Sequence, residues 1–214
     1  MPENSTRRGQ IAAGSAVLLM LVSVVFLDRP LATASHAFLA RPVWAVWLTY
    51  IADLPDPAAV VGLAVAGAAW LAGWRPGAWG RVLLAACLAT LAASAAKDVL
   101  KEVAGRPWPE SFVPGAPSWI TTGTFGFFPF HGGRGFASFP SGHTTVISAP
   151  CAALWRPAGR FAPWLLVPPV AVVAGLLGAD YHFLSDCLAG AALGVALGVA
   201  MGCLARGLAS SRGV

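Results

Sequence analysis

Six apolar runs, separated by mostly short gaps, constrain this 214-residue chain more than any other feature. They are roughly Ile11–Leu27, Pro57–Trp74, Val82–Leu100, Thr144–Trp155, Ala162–Gly178 and Phe183–Ala205. About 17 residues, rising about 1.5 Å each, cover about 26 Å, close to the hydrocarbon thickness of a bilayer. A soluble core has no need of such blocks. Charged residues make up only 11% of the chain and hydrophobic ones 57%, against about 25% charged in soluble domains. The expectation is an all-α fold, a bundle of six transmembrane helices forming a single integral-membrane domain over residues 1–214. The fourth run is short and is expected to begin inside the loop before it.

The basic residues predict the orientation. With a cytoplasmic N-terminus, the cytoplasmic pieces hold Arg7, Arg8, Arg75, Arg81, Arg156, Arg160, Arg206 and Arg212, eight of the 14 Lys and Arg. The other side receives Asp28, Asp53, Asp56, Asp98, Glu102, Glu110, Asp180 and Asp186, eight of the nine acids. That asymmetry is the positive-inside pattern and implies a multi-pass protein of the cell's inner (plasma) membrane with both termini cytoplasmic. The net charge of +5 is spread through short gaps rather than gathered into a patch, so nucleic acid is not an expected partner. An alternative for the first run is a cleaved signal peptide ending near Ala32-Thr33-Ala34. The run exceeds the usual apolar length, and the small residues lie well beyond its end.

Two connecting stretches stand out. His36–Asp56 mixes Trp44, Trp47 and Tyr50 with Arg41, which predicts an interfacial helix. Lys101–His143, between the third and fourth runs, is a long loop rich in Trp, Phe, Gly and Pro. Its aromatics are expected either to shelter a lipid chain or to sit as belt residues. The last run places Gly190, Gly194, Gly198 and Gly202 four residues apart, a stripe on which another helix can pack closely. The four cysteines follow no paired spacing and are expected as small buried apolar residues.

Every histidine (His36, His131, His143, His182) falls on the expected outer side, as do Lys97, Lys101, Arg106 and Arg134. His182 and Asp186, at i and i+4, share a helix face. The carboxylate can then fix one imidazole nitrogen and leave the other to attack or to accept a proton. Pro140-Ser141-Gly142-His143 stands just ahead of an apolar run, so it offers helix N-terminal amides, a hydroxyl and an acid to an anion. Lys101 and Arg106 close the third run in a Gly- and Pro-rich turn, and both suit phosphate.

Together these residues resemble the type 2 phosphatidic acid phosphatase superfamily. Its pattern is Lys, six residues, Arg-Pro; then Pro-Ser-Gly-His; then Ser-Arg, five residues, His, three residues, Asp. Pro140 to His143, the His182–Asp186 spacing and Lys101 match. Trp108 stands where the first motif has its arginine, and Leu176 where the third has its own. Arg106 and Arg134 are the candidate replacements.

The resemblance implies hydrolysis of a lipid phosphate or pyrophosphate monoester without metal or other cofactor. His182 would be the nucleophile, Asp186 its orienting group and His143 the general acid. Lys101, Arg106, Ser141 and Gly142 would hold the phosphate. The implied partners are the lipid phosphate substrate and membrane lipids, and no motif speaks to oligomeric state. A lipid-to-lipid phosphotransferase would use the same residues, and a non-catalytic binding or transport protein would explain the absent arginines.

Overall fold

The computed structural model describes residues 2–210; Arg212, one of the expected cytoplasmic arginines, lies outside them. Every regular element among the described residues is helical, and β pairing is limited to two isolated bridges in the long loop. Helices α1 (Pro2–Val22) and α2 (Asp28–Leu39) are joined by a π-turn, Ser23–Leu27, into one rod. The rod ends where Ala40 and Arg41 adopt left-handed backbone angles, φ 49° and 57°, before Pro42. Next come α3 (Val43–Thr49), a 3-10 turn Tyr50–Asp53, and α4 (Pro55–Leu71). Pro55 starts α4 in the first turn, where its missing N–H has no intrahelical acceptor to lose.

Helix α5 (Ala78–Ala104) ends at Gly105, whose φ of 56° is left-handed. A side chain there would strike the Phe128 carbonyl, which is how the long loop folds back on the end of α5. The loop carries only the short α6 (Trp119–Thr122) and a 3-10 turn, and it leads to α7 (Gly142–Leu154). A 3-10 stretch, Gly159–Leu166, then α8 (Val167–Gly178) and α9 (Leu184–Ser210) complete the chain.

Five helical segments are long and apolar enough to cross a bilayer: Gly9–Leu39, Val43–Leu71, Ala78–Ala104, Gly159–Gly178 and Leu184–Gly207. These five do not confirm the expected sixth crossing. The fourth run became α7, whose 13 residues rise only about 20 Å. The interfacial helix expected over 36–56 is also absent as a unit. Its first residues extend the α2 rod, and α3 begins the segment that continues into α4. Of the cysteines, Cys187 is buried, Cys87 and Cys151 are half-buried, and Cys203 is exposed, contrary to the expectation for it.

The glycine stripe packs α9 onto α7. A Cβ built on Gly190 would meet the Ser141 carbonyl at 2.5 Å, and one on Gly202 the Ala153 carbonyl at 3.1 Å. Gly194 and Gly198 face the Thr145 and Ala149 carbonyls in the same order, so the two helices run parallel in near backbone contact. Both start at the same end of the bundle. That parallel pair carries Gly142-His143 and His182–Asp186 to one place.

Candidate active site

Ser141 caps α7. Its Oγ accepts from the Thr144 amide at 3.4 Å and contacts Thr144 Oγ1 at 3.1 Å, and the Ser141 carbonyl accepts from Thr145 N at 3.0 Å. The Gly142 and His143 amides therefore remain the helix-end donors without an intrahelical acceptor. Ser141 N donates to the Asp186 carbonyl at 3.0 Å, which ties the cap directly to α9. The Ser141 side chain is fully buried in this cap.

Two lysines close the same spot from α5. A Cβ built on Gly142 would lie 3.0 Å from Lys97 Cδ and 3.7 Å from Lys101 Nζ. The missing side chain leaves the Lys97 stem room to lie against the start of α7. Lys97 also pairs with Asp98 at 2.7 Å.

The two imidazoles converge. The His143 and His182 ring centroids are 6.4 Å apart with planes at 68°. His182 Nδ1 lies 3.5 Å from Asp186 Oδ2, so that nitrogen is the one held and Nε2 is the one left for chemistry. Asp186 Oδ2 also accepts from Ser138 Oγ at 2.6 Å and from the Phe183 amide at 3.0 Å. Ser138 Oγ sits 3.4 Å from His182 Nδ1 as well. The Trp108 ring packs on His182 at 4.9 Å and lies 5.5 Å from Lys101 Nζ, and its Nε1 donates to the Arg134 carbonyl at 2.7 Å. His182 is almost fully buried, whereas the His143 side chain is 39% exposed, so the cleft opens at His143.

Both histidines precede apolar stretches of helix and both favour the neutral form. Burial lowers the His143 pKa to about 4, helped by the positive neighbours His182, Lys101 and Lys97. Burial also lowers that of His182, against the opposing pull of Asp186.

Arg106 does something other than expected. Its guanidinium is fully buried and donates to Asp186 Oδ1 at 2.5 Å, Ser185 Oγ at 2.6 Å and Asp28 Oδ2 at 2.8 Å. Phe125, Phe127 and Phe183 pack around it at 5.2, 4.8 and 4.5 Å from their ring centroids. The expectation that Arg106 grips phosphate does not fit its place: the guanidinium is spent on two carboxylates beneath His182, behind aromatic rings. Those rings, taken in the sequence as lipid shelter or belt residues, in part wall off this ion cluster. Asp28 is held in turn by Ser23 Oγ at 2.7 Å, by the Ser185 amide at 3.0 Å and by the Ser185 hydroxyl.

The remaining candidates have other partners or face outward. His36 Nδ1 pairs with Asp180 Oδ2 at 3.0 Å, and His131 meets Phe128 edge-on and Phe136 at a tilt. Arg134 is exposed. Leu176, at the third motif's arginine position, is fully buried in an apolar cluster with Ala52, Ile147, Val172 and Cys187. Ser138 and Asp28 had no part in the sequence-based site. Ser138 belongs to no recognisable pattern, and Asp28 counted only as an outer-side acid.

Residues 82–207 match the family model of the PAP2 superfamily. No curated protein and no solved structure matches the chain. The matched region holds both histidines, Asp186, both lysines and Arg106, while Asp28 lies ahead of it.

Proposed function

The chain belongs to the PAP2 superfamily, whose members are generally phosphatases, and from that premise we propose that it hydrolyses a lipid phosphate or pyrophosphate monoester at the non-cytoplasmic face of the inner membrane. The observation that carries this reading is the pair of imidazoles 6.4 Å apart beside Gly142 and two lysines. A tetrahedral phosphoryl group fits between two such rings, with one ring on each side for in-line displacement.

In this mechanism His182 Nε2 attacks phosphorus while Nδ1 stays on Asp186. The P–N bond forms as the P–O bond to the lipid breaks, and His143 gives its proton to the departing oxygen. Water, deprotonated by His143, then attacks the phosphohistidine and releases inorganic phosphate with His182 restored. Lys101, Lys97 and the amides of Gly142 and His143 face the phosphate oxygens, with the Ser141 cap holding those amides in place. Cationic side chains and helix-end amides supply the charge stabilisation.

The lipid and membrane parts of the reading rest on the apolar helices and on the charge asymmetry. The six-crossing layout gains support from the parallel run of α7 and α9. Because α8 lies between them and returns to the site, the chain has to travel to the far end through α7 and the 3-10 stretch 159–166. Both termini then fall on the cytoplasmic side.

A panel of purified lipid phosphates, assayed for released phosphate with a chelator present, tests the proposal. Release from at least one lipid by the wild type and none by His182→Ala is expected. No release from any lipid, or release that survives His182→Ala, contradicts it.

A further inference from the structure

Helices α7, α8 and α9 enclose an open groove of about 630 Å³ that starts at Thr144, next to His143, and runs to the opposite end of the bundle. α7 lines it from Thr144 to Trp155, α8 and α9 form its other sides, and α9 outlasts the 13-residue α7 at the far end. The walls are apolar, formed by Val170 and Val173 of α8 and by Ala191, Val195 and Val199 of α9. From Ala191 to Arg206 the wall is about 22 Å long, enough for an extended acyl chain, and the volume lies in the range of lipid-sized ligand sites.

The far end of the groove is different. Arg156, two residues past α7, and Arg206, near the end of α9, both line it. The Arg206 guanidinium lies beside Gly202, where a Cβ would come 3.4 Å from Nη1, and Nη2 donates to Cys203 Sγ at 3.2 Å. Among the described residues neither arginine makes an ion pair, and the paired acids all belong to the other end of the bundle. Two cations without counter-ions at one end of an apolar trough complement a ligand with an anionic head and a long apolar tail. A second copy of this chain fits poorly, since a two-fold pairing through this face would bring like arginines together.

We propose that this groove binds an anionic glycerophospholipid of the cytoplasmic leaflet. Its phosphate lies between Arg156 and Arg206, and one acyl chain lies along the α8–α9 wall. Its arginine end lies at the opposite end of the groove from Thr144 and His143, and the assignment to the cytoplasmic leaflet rests on the orientation proposed above. Zwitterionic lipids carry an ammonium group that the arginine pair disfavours.

Delipidated full-length protein, mixed with equal amounts of phosphatidylglycerol and phosphatidylcholine in uncharged detergent, is read by native mass spectrometry. The wild type is expected to retain phosphatidylglycerol over phosphatidylcholine by about tenfold or more, as two surface arginines imply. Arg156→Gln with Arg206→Gln should bring the ratio to near parity, and Arg156→Lys with Arg206→Lys should keep most of it. Ala191→Trp, which fills the trough and leaves both charges, should reduce retention of phosphatidylglycerol. Parity in the wild type, a ratio unchanged by the glutamine pair, or a dimer in place of bound lipid would overturn the proposal.

Discussion

Asp28 and Asp186, 158 positions apart in the chain, share one guanidinium: Arg106 donates to the first at 2.8 Å and to the second at 2.5 Å. This cluster joins the first helical rod to the start of α9, one side chain away from His182. Two carboxyl groups and one guanidinium are thus buried together beneath the imidazole. Arg106 therefore acts through Asp186, holding its carboxylate where it can orient His182.

Removing that guanidinium should be a folding defect before it is a binding defect. Arg106→Ala leaves two buried carboxylates facing each other, and breaking a buried pair typically costs about 3–5 kcal/mol. Lys101→Ala, by contrast, should change stability by less than about 1 kcal/mol and lower turnover at least about tenfold. Thermal unfolding in detergent, measured beside activity, separates the two. An Arg106→Ala protein that melts like the wild type would contradict the structural assignment.

His143 should matter in proportion to how poor the leaving group is. His143→Ala is expected to slow hydrolysis of an alkyl phosphate by about 10²–10⁴-fold, the usual worth of a general acid. With p-nitrophenyl phosphate, whose phenolate leaves without a proton, the loss in the first step, read as the pre-steady-state burst of p-nitrophenolate, should be much smaller. Equal losses in the rate of this first step on both substrates would remove His143 from the role of acid to the leaving group.

Much of this site was legible in the sequence because its parts are local. His182 and Asp186 sit one helical turn apart, and Pro140 to His143 is contiguous with the helix it starts, so spacing alone predicted both. The glycine stripe likewise announced close packing on a neighbour. Arg106 was misread because its partners are distant: nothing near it in sequence signals that Asp28 and Asp186 fold onto it. The fourth run is harder to read for a different reason. Apolarity marks Thr144–Trp155 as a run, but Ser141 fixes where α7 begins, and the turn before Gly159 fixes where it stops. The run is therefore shorter than a bilayer requires.

The charge state of His143 gives a pH signature. Its pKa is lowered to about 4 by burial and by His182, Lys101 and Lys97, so the free imidazole is neutral at pH 7 and stays so well below 6.5. A bound phosphate-like dianion adds negative charge to the cleft, which favours the imidazolium and moves the pKa upward. Histidine NMR titrations with and without tungstate should show this rise, the step that readies His143 as an acid. Ordinary titration near 6.5 in the free protein, unmoved by the anion, would contradict the electrostatic picture.

The most direct test traps the enzyme during turnover with a radiolabelled lipid phosphate and asks where the label resides. The account predicts an acid-labile, base-stable phosphoryl group on the wild-type protein, mapped to His182 and absent from His182→Ala. A wild type that turns over substrate without ever carrying that label, or that carries it on another residue, would contradict it.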